Sequence, residues 1–444
     1  MGRAMKNSGI KWIGEIPEEW EVRKLKYLGD LSANGVDKKI QDGEKLFKSV
    51  HYMNVYNNSL SEIKNGDDYL IISANGAKAN GCTLERGDVL FTNSSETPED
   101  MGHSAVIYEK LYNTLFGYHL TRFRPKIVIY LQFEKYLFGS YYMRKWFEYR
   151  SIGMTRYGIS YSDFAEALII LPTLSEQQAI ANFLDRKCNL IDNTIEKQKV
   201  VIEKLKLYKQ SVITEAVTKG LDPTVKMKPS GVEWIGDIPE GWDINKIKFV
   251  TSKIGSGKTP KGGSEIYSST GITFLRSQNI HNDGLRVDDV VFISDEIDEE
   301  MSNTRVLGND ILLNITGGSI GRACIYPMTI QKANVNQHVC IIRSIENLVD
   351  IKFLYYIIIC DIGATAINVY QSGANREGLN FEQIANINIP YPTLNEQIEI
   401  SEYLEEKCSQ IDSVIEQKNK LLEKLTDYKK SLIYECVTGK KEVI

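Results

Sequence analysis

Residues 175–218 read SEQQAIANFLDRKCNLIDNTIEKQKVVIEKLKLYKQSVITEAVT. From Leu184, steps of four and three residues give Leu184, Cys188, Ile191, Ile195, Gln198, Ile202, Leu205, Lys209, Val212 and Ala216. Eight of these ten positions are apolar, with charged residues between them. That spacing holds one narrow seam on the same side of a helix, which is what a coiled coil requires. Ser175 with Gln178 three residues later fits a capping-box start, and Gly220 fits a stop. At about 1.5 Å per residue such a helix is roughly 65 Å long, so it needs a partner to cover its seam.

The partner lies about 220 residues downstream. Residues 395–438 give the register Leu404, Cys408, Ile411, Ile415, Lys418, Leu422, Leu425, Lys429, Leu432, Cys436. Polar breaks fall at the same heptad positions, Gln198/Lys418 and Lys209/Lys429. PTLSEQ (172–177) and PTLNEQ (392–397) enter the helices. Upstream, SGIKWIGEIPEEW (8–20) reappears as SGVEWIGDIPEGW (230–242). The chain is one unit written twice.

The linker 221–229 is Pro-punctuated and spans about 30 Å at most. It cannot return a second head along a helix roughly 65 Å long, so the helices are expected to run antiparallel. The expected fold class is α+β: two mixed α/β domains separated by a long antiparallel two-helix coiled coil, with pseudo-twofold internal repetition. The expected segments are a first head 8–172, a first helix 173–220, a linker 221–229, a second head 230–392 and a second helix 393–440. In the first head, a helix is expected across Tyr130–Arg150, and Phe164–Ile170 reads as a strand. The seam residues Leu184, Ile191, Ile195, Ile202, Leu205, Leu404, Ile411, Ile415, Leu422 and Leu425 are read as the partner-binding set. The paired tryptophans Trp12/Trp20 and Trp234/Trp242 are expected to pack at the helix roots.

At 444 residues and 42% apolar content the chain can bury more than one core. No apolar run approaches the 18 or so residues of a membrane span. Seven cysteines without Cys-x-x-Cys spacing read as reduced thiols, and scattered histidines argue against a metal centre. A cytoplasmic location is therefore expected. The net charge of −5 is low for a chain that holds nucleic acid alone. Glu396–Glu435 carries ten acidic and six basic residues, whereas Glu176–Glu215 carries six acidic and seven basic.

Gly255-Ser-Gly-Lys-Thr259 imitates the end of a phosphate-binding loop, but Ser252 stands where its first glycine belongs and Pro260 interrupts the expected helix. Its Lys258, Thr259 and Lys261 remain candidates for phosphate contact. No hydrolase or transferase constellation is present. Asp88 and Asp310, one per head, read as turn residues before a strand. The heads also share Gly-x-x-Arg-x-Gly loops, Gly153–Gly158 and Gly373–Gly378. An arginine at such an apex can make paired contacts to guanine or phosphate, and asparagine can pair with adenine. The alternative for each arginine is a local carboxylate. The DNA-binding candidates are Arg156, Tyr157, His51, Asn54 and Asn93 in the first head. In the second they are Lys258, Thr259, Lys261, Arg276, Gln278, Asn279, Arg322, Asn336, Asn375 and Arg376.

Taken together, the Trp-Ile-Gly-x-Ile-Pro-x-x-Trp openings, LLNITGGSIG (312–321), ANVNQH (333–338), SGANREG (372–378) and the PTLxEQ helix starts resemble the specificity (S) subunit of type I restriction-modification systems. The likeness runs from Ser8 to Lys440. The first head departs from it, with NSSETP (93–98) in place of the Gly-rich run. The resemblance implies a non-catalytic DNA-specificity subunit with two target-recognition domains, each reading half of a bipartite double-stranded site. It also implies two docked methyltransferase (modification) subunits that bind S-adenosylmethionine, with room for restriction subunits. No cofactor is then expected on this chain. The alternative is a coiled-coil scaffold with protein-binding heads.

Overall fold

A computed structural model of the chain describes residues 3–66, 68–329, 332–371 and 378–443. It forms two compact units, one of Met1–Gln198 with Lys420–Ile444 and one of Lys199–Asn419. Each contains a head and parts of two long helices, Leu174–Lys219 and Leu394–Val437.

In the first unit, Leu184, Cys188 and Ile191 from the start of the first helix share a core with Leu432, Cys436 and Val437 from the end of the second. In the second unit, Ile213, Ala216 and Val217 from the end of the first helix share a core with Ile400, Leu404 and Cys408 from the start of the second. Start lies against end in both, so the pairing is antiparallel. Every position of the two heptad registers is buried or half-buried. This corrects one expectation. The seam residues Leu184, Ile191, Ile195, Ile202, Leu205, Leu404, Ile411, Ile415, Leu422 and Leu425 are covered within the chain, and a seam so covered offers little to a partner subunit.

The first helix is capped two residues earlier than the Ser175/Gln178 reading. Thr173 is its cap: Glu176 N–H donates to Thr173 Oγ1 (3.4 Å), and Thr173 N–H donates to Glu176 Oε2 (3.1 Å). Thr393 and Glu396 repeat this at the second helix (3.4 and 3.3 Å). The glutamine that follows has a packing role. Gln177 Oε1 accepts from Tyr130 N–H (2.8 Å), and Gln397 Oε1 accepts from Asp350 N–H (2.9 Å). Each tryptophan that closes an opening motif is buried and donates its indole N–H to the capping glutamate, Trp20 to Glu176 at 3.0 Å and Trp242 to Glu396 at 3.2 Å. Gly220 and Gly439 end the helices with φ of +74° and +72°. A Cβ on either would meet Trp242 or Trp20.

The first head holds a five-stranded sheet in the order Gly29–Ser32, Leu120–Pro125, Val89–Thr92, Ser104–Ile107, Glu62–Ile63. Beside it lies a three-stranded sheet of Thr114–Phe116, Lys45–Val50 and Leu70–Ala74. The second head holds two four-stranded sheets. One is ordered Thr251–Ser256, Val339–Ser344, Ile311–Asn314, Ala323–Ile325, and the other Val291–Ile293, Ile272–Leu275, Ala333–Val335, Arg305–Val306. Val89–Thr92 and Ile311–Asn314 are buried throughout, as strands covered on both faces must be.

Two local expectations are corrected. The segment Tyr130–Arg150 is two helices, Leu131–Phe138 and Tyr141–Arg150. The break falls at Gly139, where a Cβ would stand 2.7 Å from the Lys135 carbonyl, and Ser140 restarts the chain in extended conformation. Phe164 belongs to a short helix, Tyr161–Ala165, and the strand begins only at Leu168. Ser160 caps that helix and closes its box with Asp163, a local signal stronger than the alternation that follows.

All seven cysteines are buried and unpaired. Among the described residues no His/Cys/Asp/Glu group has metal-holding geometry, and no single helix is long and apolar enough to cross a membrane.

Candidate nucleic-acid interface

The arginine loop of the first head is a narrow hairpin, Ile152–Gly153 paired with Tyr157–Gly158. The hairpin is pinned in turn to Ser94–Ser95 (Tyr157 opposite Ser95, Gly158 opposite Ser94). Arg156 is exposed at its turn, with Nη2 3.2 Å from Ser94 Oγ. No carboxylate holds it among the described residues, so its guanidinium retains donors for an outside acceptor. Tyr157 is half-buried and packs on the head's core. Asn93 is half-buried, and its carbonyl accepts from Ile159 N–H at 3.0 Å.

The hairpin overlooks an open cleft of ≈ 860 Å³ lined by Tyr52, Met53, Tyr56, Glu96, Thr155 and Arg156, among others. Its floor is held by Asp100. That carboxylate accepts from Tyr56 Oη (2.6 Å) and Arg144 Nη2 (3.2 Å) and lies 2.8 Å from His103 Nε2. Burial opposes ionisation of Asp100, but these donors hold its pKa below the usual range. Tyr52 stacks on Tyr56 and donates to the Ser94 carbonyl (3.0 Å).

The second head has the same frame. Thr316 bridges Gly378 as Ser94 pairs with Gly158. Leu379 N–H reaches the Ile315 carbonyl at 2.9 Å, as Ile159 N–H reaches Asn93. Asn375 and Arg376 lie outside the described residues. A polar chain ties the neighbouring loops together. Thr259 Oγ1 meets Gln337 Oε1, Gln337 Nε2 lies 2.9 Å from His338 Nε2, and His338 Nδ1 lies 2.5 Å from Thr316 Oγ1. Asn336 is half-buried and orients this chain, its Oδ1 accepting from His338 N–H (3.1 Å). Lys258 and Lys261 are exposed on the same loop. Among the described residues only a single 3-10 turn, Gly263–Ile266, follows that loop, not the α-helix a nucleotide cradle requires. Instead Thr251–Ser256 runs as a sheet strand, and Gly257 lies flat against the Val335 carbonyl, where a Cβ would sit 1.6 Å away.

The two polar runs, His51–Asn54 and Arg276–Asn279, are the same turn. Asn54 Oδ1 accepts from His51 N–H (2.8 Å), and Asn279 Oδ1 accepts from Arg276 N–H (2.9 Å). Asn279 is 1% exposed, and its amide also donates to the Arg286 and Asp289 carbonyls (3.0 and 3.2 Å). It has no group left for a base, which corrects that expectation. Arg276 and Gln278 are both drawn to Asp289, the arginine through that residue's carbonyl (3.0 Å) and the glutamine through its carboxylate. His51 is 5% exposed, and burial followed by Lys38 pushes its pKa down to about 4. Its imidazole is neutral at neutral pH and packs against Gly117, where a Cβ would sit 2.1 Å from Nδ1. His119 is likewise pushed down by burial, then by Arg156 and Lys38, which marks a local cationic field near the hairpin. Arg322 is exposed and lines a separate cleft of the second unit with Lys206 and Lys209.

The candidates thus fall into two groups. Arg156, Lys258, Thr259, Lys261, Gln278 and Arg322 are exposed, while the buried His51 and Asn279 and the half-buried Asn54, Asn93, Tyr157, Arg276 and Asn336 build the loops beneath. Sequence reasoning missed the Tyr52/Tyr56 stack, Glu96 and the Asp100 hub with His103 and Arg144. Only the four-residue spacing of the tyrosines hinted at them, because the hub assembles from three distant segments.

The family described as Type I restriction modification DNA specificity domain matches the chain twice, at residues 17–204 and 239–426. The putative type I restriction enzyme MjaX specificity subunit of Methanocaldococcus jannaschii is 29% identical over 97% of this chain and 96% of its own. The type I restriction enzyme EcoKI specificity subunit of Escherichia coli is 21% identical over 96% and 90%. A solved chain reported under the words "complex assembly" and "conformational transition of the type I R-M system" superposes with TM-score 0.70 at 14% identity, covering 96% of this chain and 99% of that one. The crystal structure of the HsdS subunit from Thermoanaerobacter tengcongensis superposes with TM-score 0.53 at 14% identity, covering 98% and 100%. At such identity the two structures speak for the fold alone.

Proposed function

This chain belongs to the type I restriction-modification DNA specificity family, and from that premise we propose that each head reads one half of a bipartite DNA site. One observation carries the reading. Both heads build the same frame around the segment after the arginine loop, with Ile159 bonded to Asn93 and Leu379 to Ile315, yet they hang different side chains on it. A common frame with different exposed groups is what two different half-sites demand.

In this reading the chain is non-catalytic. Arg156, Lys258, Lys261 and Arg322 supply charge-assisted donors to phosphates or base edges. A chain of net charge −5 leaves much of the phosphate attraction to other subunits. Two modification subunits dock against the long helices, bring S-adenosylmethionine and methylate adenine, with restriction subunits as further partners. The covered seam directs docking to the outward faces, where Leu190, Val200, Leu207, Tyr208, Leu421 and Tyr428 are exposed. The helix pair sets the unread spacer between the half-sites.

The test is to insert four residues, about one helical turn, into each long helix. The complex with its modification subunit is then expressed in a host free of adenine methylation. The expected result is the same two half-sites with a longer spacer. An unchanged spacer refutes the ruler, and the absence of any methylated motif with the unaltered chain favours a scaffold with protein-binding heads.

A further inference from the structure

Glu96 stands apart from the other charged groups of the first head. It is exposed in the cleft beneath the arginine hairpin, across from Thr155 and Arg156, and makes no hydrogen bond or ion pair among the described residues. Its loop is nevertheless held on both sides. On one side Ser94 and Ser95 are paired to the hairpin, and Ser95 Oγ accepts from Thr97 N–H at 3.4 Å. On the other side Asp100 is fixed by Tyr56, His103 and Arg144, and Arg144 also donates to the Glu99 carbonyl at 3.0 Å. A carboxylate on so anchored a loop is a positioned acceptor.

Phosphates repel such a group, so facing DNA it is useful only toward a donor. The donors on a base edge that suit a carboxylate are exocyclic amino groups. At the matching position the second head carries a glycine. Thr316 matches Ser94, since both face the glycine that ends the arginine loop, so Ser95-Glu96 corresponds to Gly317-Gly318. A glycine there offers no side-chain acceptor.

We propose that Glu96 is a specificity-determining residue of the first head, accepting a hydrogen bond from the exocyclic amino group of a cytosine or adenine in its half-site. This rests on the reading of the heads as base readers and adds the chemical class of the group read. Arg156, a pure donor across the same cleft, reads the complementary chemistry of a guanine edge or an adjoining phosphate.

The test compares the unaltered chain with Glu96→Gln and Glu96→Ala. Each is expressed with its modification subunit in a methylation-free host, methylated adenines are mapped by sequencing, and folding is checked by melting of the purified complex. With the unaltered chain one position of one half-site is expected to hold cytosine or adenine, and which base appears identifies the source of the amino group. In both variants discrimination at that position should fall by between about five- and a hundredfold, while the other half-site stays intact. An unchanged motif in both variants overturns this inference alone. So does uniform loss across all positions with normal melting, which indicates a general electrostatic role. If the unaltered chain directs no motif, base reading itself fails, and this inference fails with it.

Discussion

Lys429 Nζ lies 2.7 Å from both carboxylate oxygens of Asp192, a residue 237 positions earlier. In the second unit Lys209 Nζ meets Asp412 at 2.5 Å, and the repeat makes these the same pair with the helices exchanged. Lys209 and Lys429, which interrupt the apolar seam at the same heptad position, are therefore matched across it. A polar group in a coiled-coil seam gives up some stability to fix register and direction. Because Asp192 and Asp412 are 40% and 53% exposed, each pair contributes at most about 1 kcal/mol. Lys429→Asp is expected to lower the melting temperature through like-charge repulsion, and adding Asp192→Lys should restore most of the loss. A double-mutant cycle without coupling would show that the pair does not fix register.

Gly439 and Gly220 close equivalent helices under unequal constraint. A Cβ at Gly439 would stand 2.2 Å from Pro17, whereas at Gly220 the nearest atom is Trp242 at 3.2 Å. Both have left-handed φ, which costs an alanine about 1 kcal/mol. Gly439→Ala should therefore destabilise more than Gly220→Ala, by roughly 1–3 kcal/mol of overpacking. Urea unfolding of the two variants measures the difference.

Asp88 and Asp310 share an architecture to within 0.1 Å. Arg124 donates to Asp88 through Nε (2.8 Å) and Nη2 (2.7 Å), and Arg343 donates to Asp310 at the same distances. Each aspartate also accepts the backbone N–H that closes its turn, from Glu85 at 2.8 Å and Leu307 at 2.7 Å. With the carboxylates 1% exposed, Asp310→Ala leaves Arg343 without its carboxylate and a turn N–H without its acceptor, whereas after Asp88→Ala Arg124 keeps Glu85 at 2.7 Å. Asp310→Ala is expected to cost about 3–5 kcal/mol and Asp88→Ala less. A catalytic role would instead leave stability intact, so thermal unfolding separates the two.

Glu134 is 3% exposed, and one of its carboxylate oxygens has no partner. Burial, then the charge of Asp88, raises its pKa to about 8, with Arg86 opposing. The folded pKa lies above the unfolded value near 4.3. The unfolded chain therefore loses this proton first, and the first unit loses stability as pH rises from about 4.5 to 8. Glu134→Gln should flatten that decline, with a larger gain in melting temperature at pH 8.5 than at pH 5. Equal gains at both would rule out titration of this group as the cause.

Arg156→Ala is expected to relax recognition in one half-site only, because the guanidinium is exposed and, among the described residues, is hydrogen-bonded only to Ser94. Mapping methylated adenines in a host carrying the variant complex checks this. Uniform loss across sequences would assign Arg156 to phosphate.

The sequence by itself determined the duplication, the antiparallel helix pair and the seam. These follow from period and linker length, and heptad spacing needs no tertiary information to state which face is covered. It also located Asp88/Asp310 and the arginine loops, because each is a short motif whose local geometry is set by neighbouring residues. Only the tertiary structure decided which polar residues are spent and which are free. Asn279 and Glu96 look alike in the sequence as exposed-type residues in polar runs, yet one has its hydrogen-bonding groups used within the fold and the other has none used among the described residues. Asn279 meets partners three, seven and ten residues away because its loop folds back over it, and hydrogen-bond satisfaction depends on distance in space, which the order of residues does not encode.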